Sequence, residues 1–257
     1  MTDAGSTDLL IGTLANLLEG STTVAVGNLS PIPAAAALLW QARAPLGREA
    51  MLVGTRRGSA FTDGGRELFD CAAQGRIDAF FLGGGQIDGE ANLNLVGTGT
   101  YPQLRHRFPG SFGSAYLYFL VPNVILFRAE HSRRVLVSRV DFVSAPGVSP
   151  PDVYRPGGPA ALVTGRCVFR FQRARRRFRL ESIHAGETLE SVLEHTGFDV
   201  DVPPSVPTTA PISDQDLQLV RSAVLDELVE TYPRFVGEYR AELETRARSR
   251  TALTRAQ

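Results

Sequence analysis

Hydrophobic residues along this chain change their spacing several times, and each change marks an element. In DLLIGTLANLLE (8–19), Leu9, Leu10, Leu14, Leu17 and Leu18 recur at helical intervals, and Gly20 supplies a stop. TTVAVG (22–27) is a short, continuously apolar run and predicts a buried strand. Pro31 and Pro33 lead into AAAALLWQAR, a second helix, because proline is tolerated in a first turn. AMLVG (50–54) predicts a strand, RELFDCAAQ (66–74) a helix stopped by Gly75, and DAFFLGGG (78–85) a further strand. Strands that alternate with helices, and that are apolar throughout, predict an α/β fold with a mainly parallel sheet flanked by helices.

The middle of the chain reads differently. YLYFLVPNVILFRA (116–129), RRVLVSRVDFV (133–143), ALVTGRCVFRF (161–171) and RFRLESI (177–183) are rich in β-formers with turn signals between them. ETLESVLEHTG (187–197) returns to helix. Residues 1–202 are read as the α/β domain, and the proline-rich 203–212 as an extended connector. Residues 213–257 form a C-terminal helical extension, which Ser213 with Asp216 opens. Leu217, Val220, Val224, Leu225 and Leu228 share one face of it, and the polar end from about Arg246 is expected to fray.

Composition narrows the function classes. With 257 residues and 43% hydrophobic content the chain can bury a sizeable core, and 21% charged residues is an ordinary globular share. The formal net charge of zero argues against a general polyanion binder, so no nucleic-acid partner is expected. No apolar run is long enough to span a bilayer, and MTDAGSTDLL has no basic stretch before its apolar residues. Cys71 and Cys167 have no metal-ligand spacing, which fits a reduced, cytoplasmic protein. All 27 basic residues are arginines, which removes lysine Schiff-base chemistry and a P-loop lysine.

The most unusual stretch is FFLGGGQIDGEANLNLVGTG (80–99), where an apolar strand runs into three glycines and then into amide side chains. Glycines at the carboxyl end of a parallel strand let a ligand approach the backbone; a tight turn is the plainer reading. The G-x-G-x-x-G spacing is absent and no helix opens after the glycines, so a dinucleotide site is disfavoured. FLGGGQIDGEANLN resembles the strand and loop of the B subunits of family I CoA-transferases, the glutaconate CoA-transferase type. The likeness continues through RFPGSFGSAYLYFL, RRVLVSRVDFVSAPG, LVTGRCVFRF, RLESIHAG and ETLESVLEHTGFDV, and upstream through TTVAVGNLSPIPAAAALL. It covers roughly residues 8–222.

The resemblance implies a CoA-transferase-like fold that pairs with an A subunit in a hetero-oligomer. An active site at the subunit interface would take coenzyme A as an acyl-CoA thioester, with no metal. In such transferases a B-subunit glutamate attacks the thioester, and glycine-loop amides hold the oxyanion. Carried onto this chain, the glycine loops are Gly27, Gly83, Gly84, Gly85, Gly110 and Gly113. Gln86, Asp88, Asn92 and Asn94 would orient the substrate, and Arg56 and Arg57 would meet CoA phosphates or a substrate carboxylate unless they are a solvated pair.

The chain also departs from the pattern. Where the nucleophilic glutamate belongs, AMLVGTRRGSAF offers Thr55, Arg56, Arg57 and Gly58. Glu49 lies before the strand, and Asp63 and Glu67 lie next to the following helix. Leu29 and Phe112 replace loop glycines. One branch of the family, the heteromeric CoA-ester hydrolases of steroid-ring catabolism, also lacks this glutamate and uses one from the A subunit. A scaffold or regulatory subunit is the rival reading.

The run RARRRFR (173–179) sits between two predicted strands and reads as a solvated turn rather than a nucleic-acid patch. His106, His131, His184 and His195 have no metal-binding spacing and read as structural, as do the two cysteines.

Overall fold

The computed structural model describes residues 4–55 and 61–255, with side chains over 6–55 and 61–248. Helix α1 (Ala4–Asn16) leads to β1 (Thr23–Val26), α2 (Pro31–Arg43), β2 (Glu49–Leu52), α3 (Gly65–Ala73) and β3 (Ala79–Leu82). Two short hairpins follow, β4 (Gln86–Ile87) with β5 (Leu93–Asn94), and β6 (Gly97–Thr100) with β7 (Gln103–Arg107). Then come α4 (Ser114–Leu120), β8 (Asn123–Arg128), β9 (Pro159–Thr164), β10 (Cys167–Gln172), β11 (Arg177–Ile183) and α5 (Leu189–Glu194). The chain closes with α6 (Asp214–Leu219), a π-helical turn (Val220–Val224), α7 (Leu225–Leu228) and α8 (Pro233–Arg255).

One seven-stranded sheet organises the molecule, in the order β11-β10-β9-β8-β3-β1-β2. Pairings from β2 to β9 are parallel and those of β10 are antiparallel, so the sheet is mainly parallel with helices on its faces, as expected. Strand alternation divides the core into two. Val24, Val26, Ala79 and Phe81 point to a layer built by α1, α2 and the C-terminal helices. Ala25, Phe80 and Leu82 point to a second layer built by α3, α4 and the β4–β5 hairpin. Continuous apolar runs are what strands covered on both faces need.

Two expectations for the middle of the chain do not hold. Residues 116–120 are helix α4, not strand: Gly113 (φ 69°) turns the chain in, Leu117 and Tyr118 bury one face, and β8 starts after Pro122. Aromatic β-propensity is overridden there by packing. Residues 133–143 form no strand; they run beside β4, exchanging Ile87 N–H to Val135 O (2.8 Å) and Val137 N–H to Ile87 O (2.9 Å). Val135 and Leu136 are buried in the second core, and Val140 is buried as well, without a sheet ladder.

Segment 201–209 is extended, as its prolines predict, and it lies along β11. Leu180 N–H donates to Asp201 O (2.9 Å) and Ile183 N–H to Pro207 O (3.0 Å). Ser213 caps α6 by accepting from Asp216 N–H (3.1 Å). Val220, Val224, Leu225 and Leu228 are buried, and the polar end from Arg246 lies within α8.

Candidate active site at the carboxyl edge of the parallel strands

From β1 the chain passes to β2 on one side and to β3 on the other, which makes the β1/β3 boundary a topological switch point. Such a boundary leaves a crevice beyond the carboxyl ends of the strands. The crevice is present as a cavity of about 410 Å³. Leu29 and Ser30 of the β1–α2 turn and Ile32 of α2 form one wall; Leu82 of β3 with Gly83 after it, and Phe127 and Arg128 of β8 with Glu130 just beyond, form the other. Ser30 N–H donates to the Tyr232 hydroxyl (3.3 Å), so the C-terminal segment holds the β1–α2 turn.

Leu29 (φ 58°) and Phe112 (φ 27°) both occupy left-handed backbone. These are the two positions read from the sequence as replaced glycines, and glycine is the residue that takes this conformation without strain. Both side chains are exposed, at 84% and 80%. They are not in the same place: Leu29 lines the cavity, whereas Phe112 lies over Gly65 and stands 5.8 Å from the Phe69 ring. Gly27 immediately precedes the cavity-lining turn, while Gly110 and Gly113 sit with Phe112 in the α4 turn.

The triple glycine is close-packed by the protein itself. A Cβ on Gly84 would stand 2.8 Å from the Gln86 carbonyl oxygen, and one on Gly85 would stand 2.2 Å from the Phe108 ring. Gly83 alone of the three borders the cavity.

The amide side chains are likewise engaged within the fold. Asn94 is fully buried and donates to Gln86 Oε1 and to Gly97 O, both at 2.7 Å. Its Oδ1 accepts from Val96 N–H (3.0 Å) and Gly97 N–H (3.2 Å), which completes its hydrogen-bonding capacity. Gln86 Oε1 also accepts from Asp141 N–H (3.0 Å). Asp88 accepts from Glu90 and Asn92 N–H and from Asn92 Nδ2, closing the hairpin turn, and Asn92 Oδ1 accepts from Gly147 N–H. Asp88 and Asn92 face a different hollow, shared with Arg175 and Arg176 at the amino edge of the sheet. The structure therefore places Asp88 and Asn92 away from the glycine turns, and it bonds the Asn94 amide within the fold.

Carboxylates are scarce at the cavity. Glu49 is exposed at the start of β2, the wrong end. Asp63 pairs with Arg66 (3.0 Å), and Glu67 accepts from Thr62 N–H (2.6 Å) and Asp63 N–H (3.2 Å), bonds that hold its carboxyl below the usual range. Glu130 is the carboxylate lining the cavity. It accepts from the Ser132 hydroxyl (2.6 Å) and binds Arg134, and it stands 3.7 Å from Arg128. Thr55 Oγ1 donates to Leu52 O (3.0 Å). Arg56 and Arg57 lie outside the described residues.

Arg128, Glu130 and Tyr232 were not singled out from the sequence. The available signal was position: in VILFRAEHS, a charged pair follows directly on a buried parallel strand.

Two of the histidines, His131 and His184, are buried and bonded within the fold. Buried His131 meets Thr164 Oγ1 (2.8 Å), Thr196 Oγ1 (3.0 Å) and Val192 O (3.2 Å), and burial pushes its imidazole down to about 4. His184 meets Thr209 Oγ1 (2.8 Å) and Thr164 O (2.9 Å), and burial lowers it too. Cys167 lies 3.8 Å from His131, and burial pushes its thiol up to about 12, which disfavours the thiolate. Both cysteines are free and buried. Among the described residues no group of His, Cys, Asp and Glu could hold a metal, and no helix is long and apolar enough to cross a membrane. The arginine run forms the β10–β11 turn, where Arg175 and Arg177 pair with Asp201 at 2.5 and 3.0 Å.

Residues 15–195 match the family model described as Coenzyme A transferase. The chain belongs to the coenzyme A transferase family. It is 33% identical over 138 residues to the B subunit of glutaconate CoA-transferase from Acidaminococcus fermentans, covering 51% of each chain. It is 31% identical over 168 residues to the cholesterol ring-cleaving hydrolase IpdB subunit of Rhodococcus jostii, covering 63% of this chain and 64% of that one. The chain thus spans about half to two thirds of the length of these curated relatives. The solved structure of the decarboxylase AibA/AibB shares the fold, with a TM-score of 0.73 at 24% identity over 85% of this chain and 94% of that one. As a member of the coenzyme A transferase family, the chain keeps the α/β architecture of that structure, its mainly parallel sheet included.

Proposed function

We propose that this chain is the B-type subunit of a heteromeric enzyme acting on an acyl-CoA thioester, by CoA transfer or by hydrolytic ring or carbon–carbon opening. Family membership over residues 15–195 carries this reading, and the crevice at the β1/β3 boundary supports it. The thioester would lie across the carboxyl edge of the sheet, where the β1–α2 turn and Gly83 border a cavity. Backbone amides there would stabilise an oxyanion. No carboxylate occurs between β2 and Asp63, so a glutamyl-CoA intermediate on this segment is not available, and a separate A subunit would donate the reacting carboxylate. Arg56 and Arg57 keep their proposed role toward CoA phosphates. Gln86 keeps its proposed substrate-orienting role, with its Oε1 fixed by the Asn94 amide and Asp141 N–H. With both cysteines unpaired, a cytoplasmic location is proposed.

A second reading is favoured by Leu29 and Phe112: a scaffold or regulatory subunit whose glycine turns have been filled. Co-expression with a candidate A subunit, followed by mass spectrometry of the complex after incubation with mixed acyl-CoA esters, separates the two. An altered ester or a glutamyl-CoA adduct on the partner is expected. A stable complex that binds no CoA ester and changes none would overturn the enzymatic reading.

A further inference from the structure

The hollow at the amino edge of the sheet, on the side away from the crevice, has a volume of about 650 Å³. Four segments far apart in sequence wall it: the β4–β5 turn, residues 138–143, the arginine-rich β10–β11 turn, and residues 198–199. Several of its charges are already used by the fold. Asp88 accepts three bonds within its own turn, and Asp201 holds Arg175 and Arg177. Others are not. Arg139 and Asp199 line the hollow, are exposed, and make no hydrogen bond or ion pair with a described residue. Arg176 and Glu90 meet only in a loose 3.7 Å ion pair, with both side chains more than half exposed. Val143 and Phe198, whose ring stacks on Phe178 at 5.6 Å, give the hollow a small apolar surface. Among the described residues four that are not glycine take left-handed backbone, and two of them, Ala91 (φ 61°) and Arg176 (φ 53°), lie in the two turns that wall this hollow. Strain of this kind concentrates at ligand clamps.

We propose that this hollow binds a phosphorylated sugar or polyol, with the phosphate on Arg139 and Arg176 and the hydroxyls on Glu90 and Asp199. A carboxylate fills one guanidinium fork, whereas a phosphate monoester has three oxygens and a double charge to serve two. Ionised carboxylates only accept hydrogen bonds, so Glu90 and Asp199 call for a ligand that also carries donors, which hydroxyls supply. The same two carboxylates repel a ligand that is anionic along its whole length, which disfavours a polyphosphate or a nucleic acid. When the phosphate engages Arg176, the loose pair with Glu90 opens and leaves that carboxylate to the hydroxyls. The inference does not rest on the acyl-CoA reading, because none of these residues borders the crevice.

Calorimetric titration of the full chain with glucose 6-phosphate, glucose and inorganic phosphate tests this, for wild type, Arg139→Gln, Arg176→Asn, Asp199→Asn and, as a control at the other edge, Leu29→Gly. Glucose 6-phosphate is expected to bind wild type with Kd on the order of 1 mM, at least about tenfold tighter than glucose or inorganic phosphate. Arg139→Gln and Arg176→Asn should each weaken it about tenfold; asparagine at 176 keeps the left-handed backbone accessible. Asp199→Asn should weaken the sugar phosphate about threefold and leave inorganic phosphate unchanged. Leu29→Gly should change nothing. No binding of glucose 6-phosphate to wild type, inorganic phosphate binding as tightly as the sugar phosphate, an unchanged affinity in either arginine variant, or a loss in Leu29→Gly would overturn the proposal. Should Arg176→Asn fail to fold, Arg139→Gln decides, since Arg139 bonds to no described residue. Arginine-dependent binding of glucose 6-phosphate in a complex inert to every CoA ester would support this site while removing the enzymatic reading.

Discussion

On one face of the sheet, at its carboxyl edge, Gln86 and Asn94 form a buried polar knot in which the Asn94 amide is fully bonded. On the other face, the same edge carries an exposed leucine in left-handed backbone and an arginine that makes no hydrogen bond to a described residue. The knot has the residue types usually associated with substrate binding, yet its bonds are consumed in holding two short hairpins together. The leucine and the arginine look ordinary in a sequence, yet they keep strain and donors unspent. A group whose capacity is filled by its own chain stabilises the fold; a group left unfilled at a crevice is available to a ligand.

The sharpest way to break this contrast is Asn94→Ala. Four hydrogen bonds vanish in a dry interior, so urea denaturation should show a loss of about 4 kcal/mol. A loss below about 1 kcal/mol would mean the knot is not structural. His131 offers a pH test of a comparable filled cluster. Its imidazole titrates near 4 when folded and near 6.5 when unfolded, so the unfolded chain takes up the proton first. Its contribution is whole above about pH 6.5 and is lost as pH falls toward 4, a change of about 3 kcal/mol. Asp8, which burial raises, acts with the opposite sign at acid pH, so the slope difference between wild type and His131→Gln is the quantity to follow. That variant should flatten the slope. Gly84→Ala forces a methyl against the Gln86 carbonyl and should cost about 2 kcal/mol; no cost would mean the turn has room for more than glycine. The smallest effect is Leu29→Gly, expected to stabilise the free chain by about 0.5 kcal/mol as backbone strain is relieved. Destabilisation in a thermal melt would show that Leu29 serves the fold.

Much of the fold was legible because burial on both faces leaves an unbroken apolar signature, as in β1, β3 and β8. The Ser213 cap was legible because capping is local chemistry. Helix α4 was not, since Tyr116, Tyr118 and Phe119 favour strands in isolation and only the bed offered to Leu117 and Tyr118 decides otherwise. At the site, the turn after β1 and the glycines after β3 were correctly placed at a strand end. That Asp88 and Asn92 turn toward the opposite edge depends on the reach of one hairpin, which spacing does not encode. Arg128 escaped notice because an unpartnered donor is a property of surroundings, and one arginine among 27 carries no mark of it.

A seven-residue strand such as β11 would ordinarily present a row of free amides and carbonyls to any passing chain. Here 201–209 lies along it, and Pro203, Pro204 and Pro207 have no N–H to offer outward. A segment whose composition reads as a spacer therefore works as a guard against edge-to-edge aggregation, and cutting it out would trade solubility, not reach.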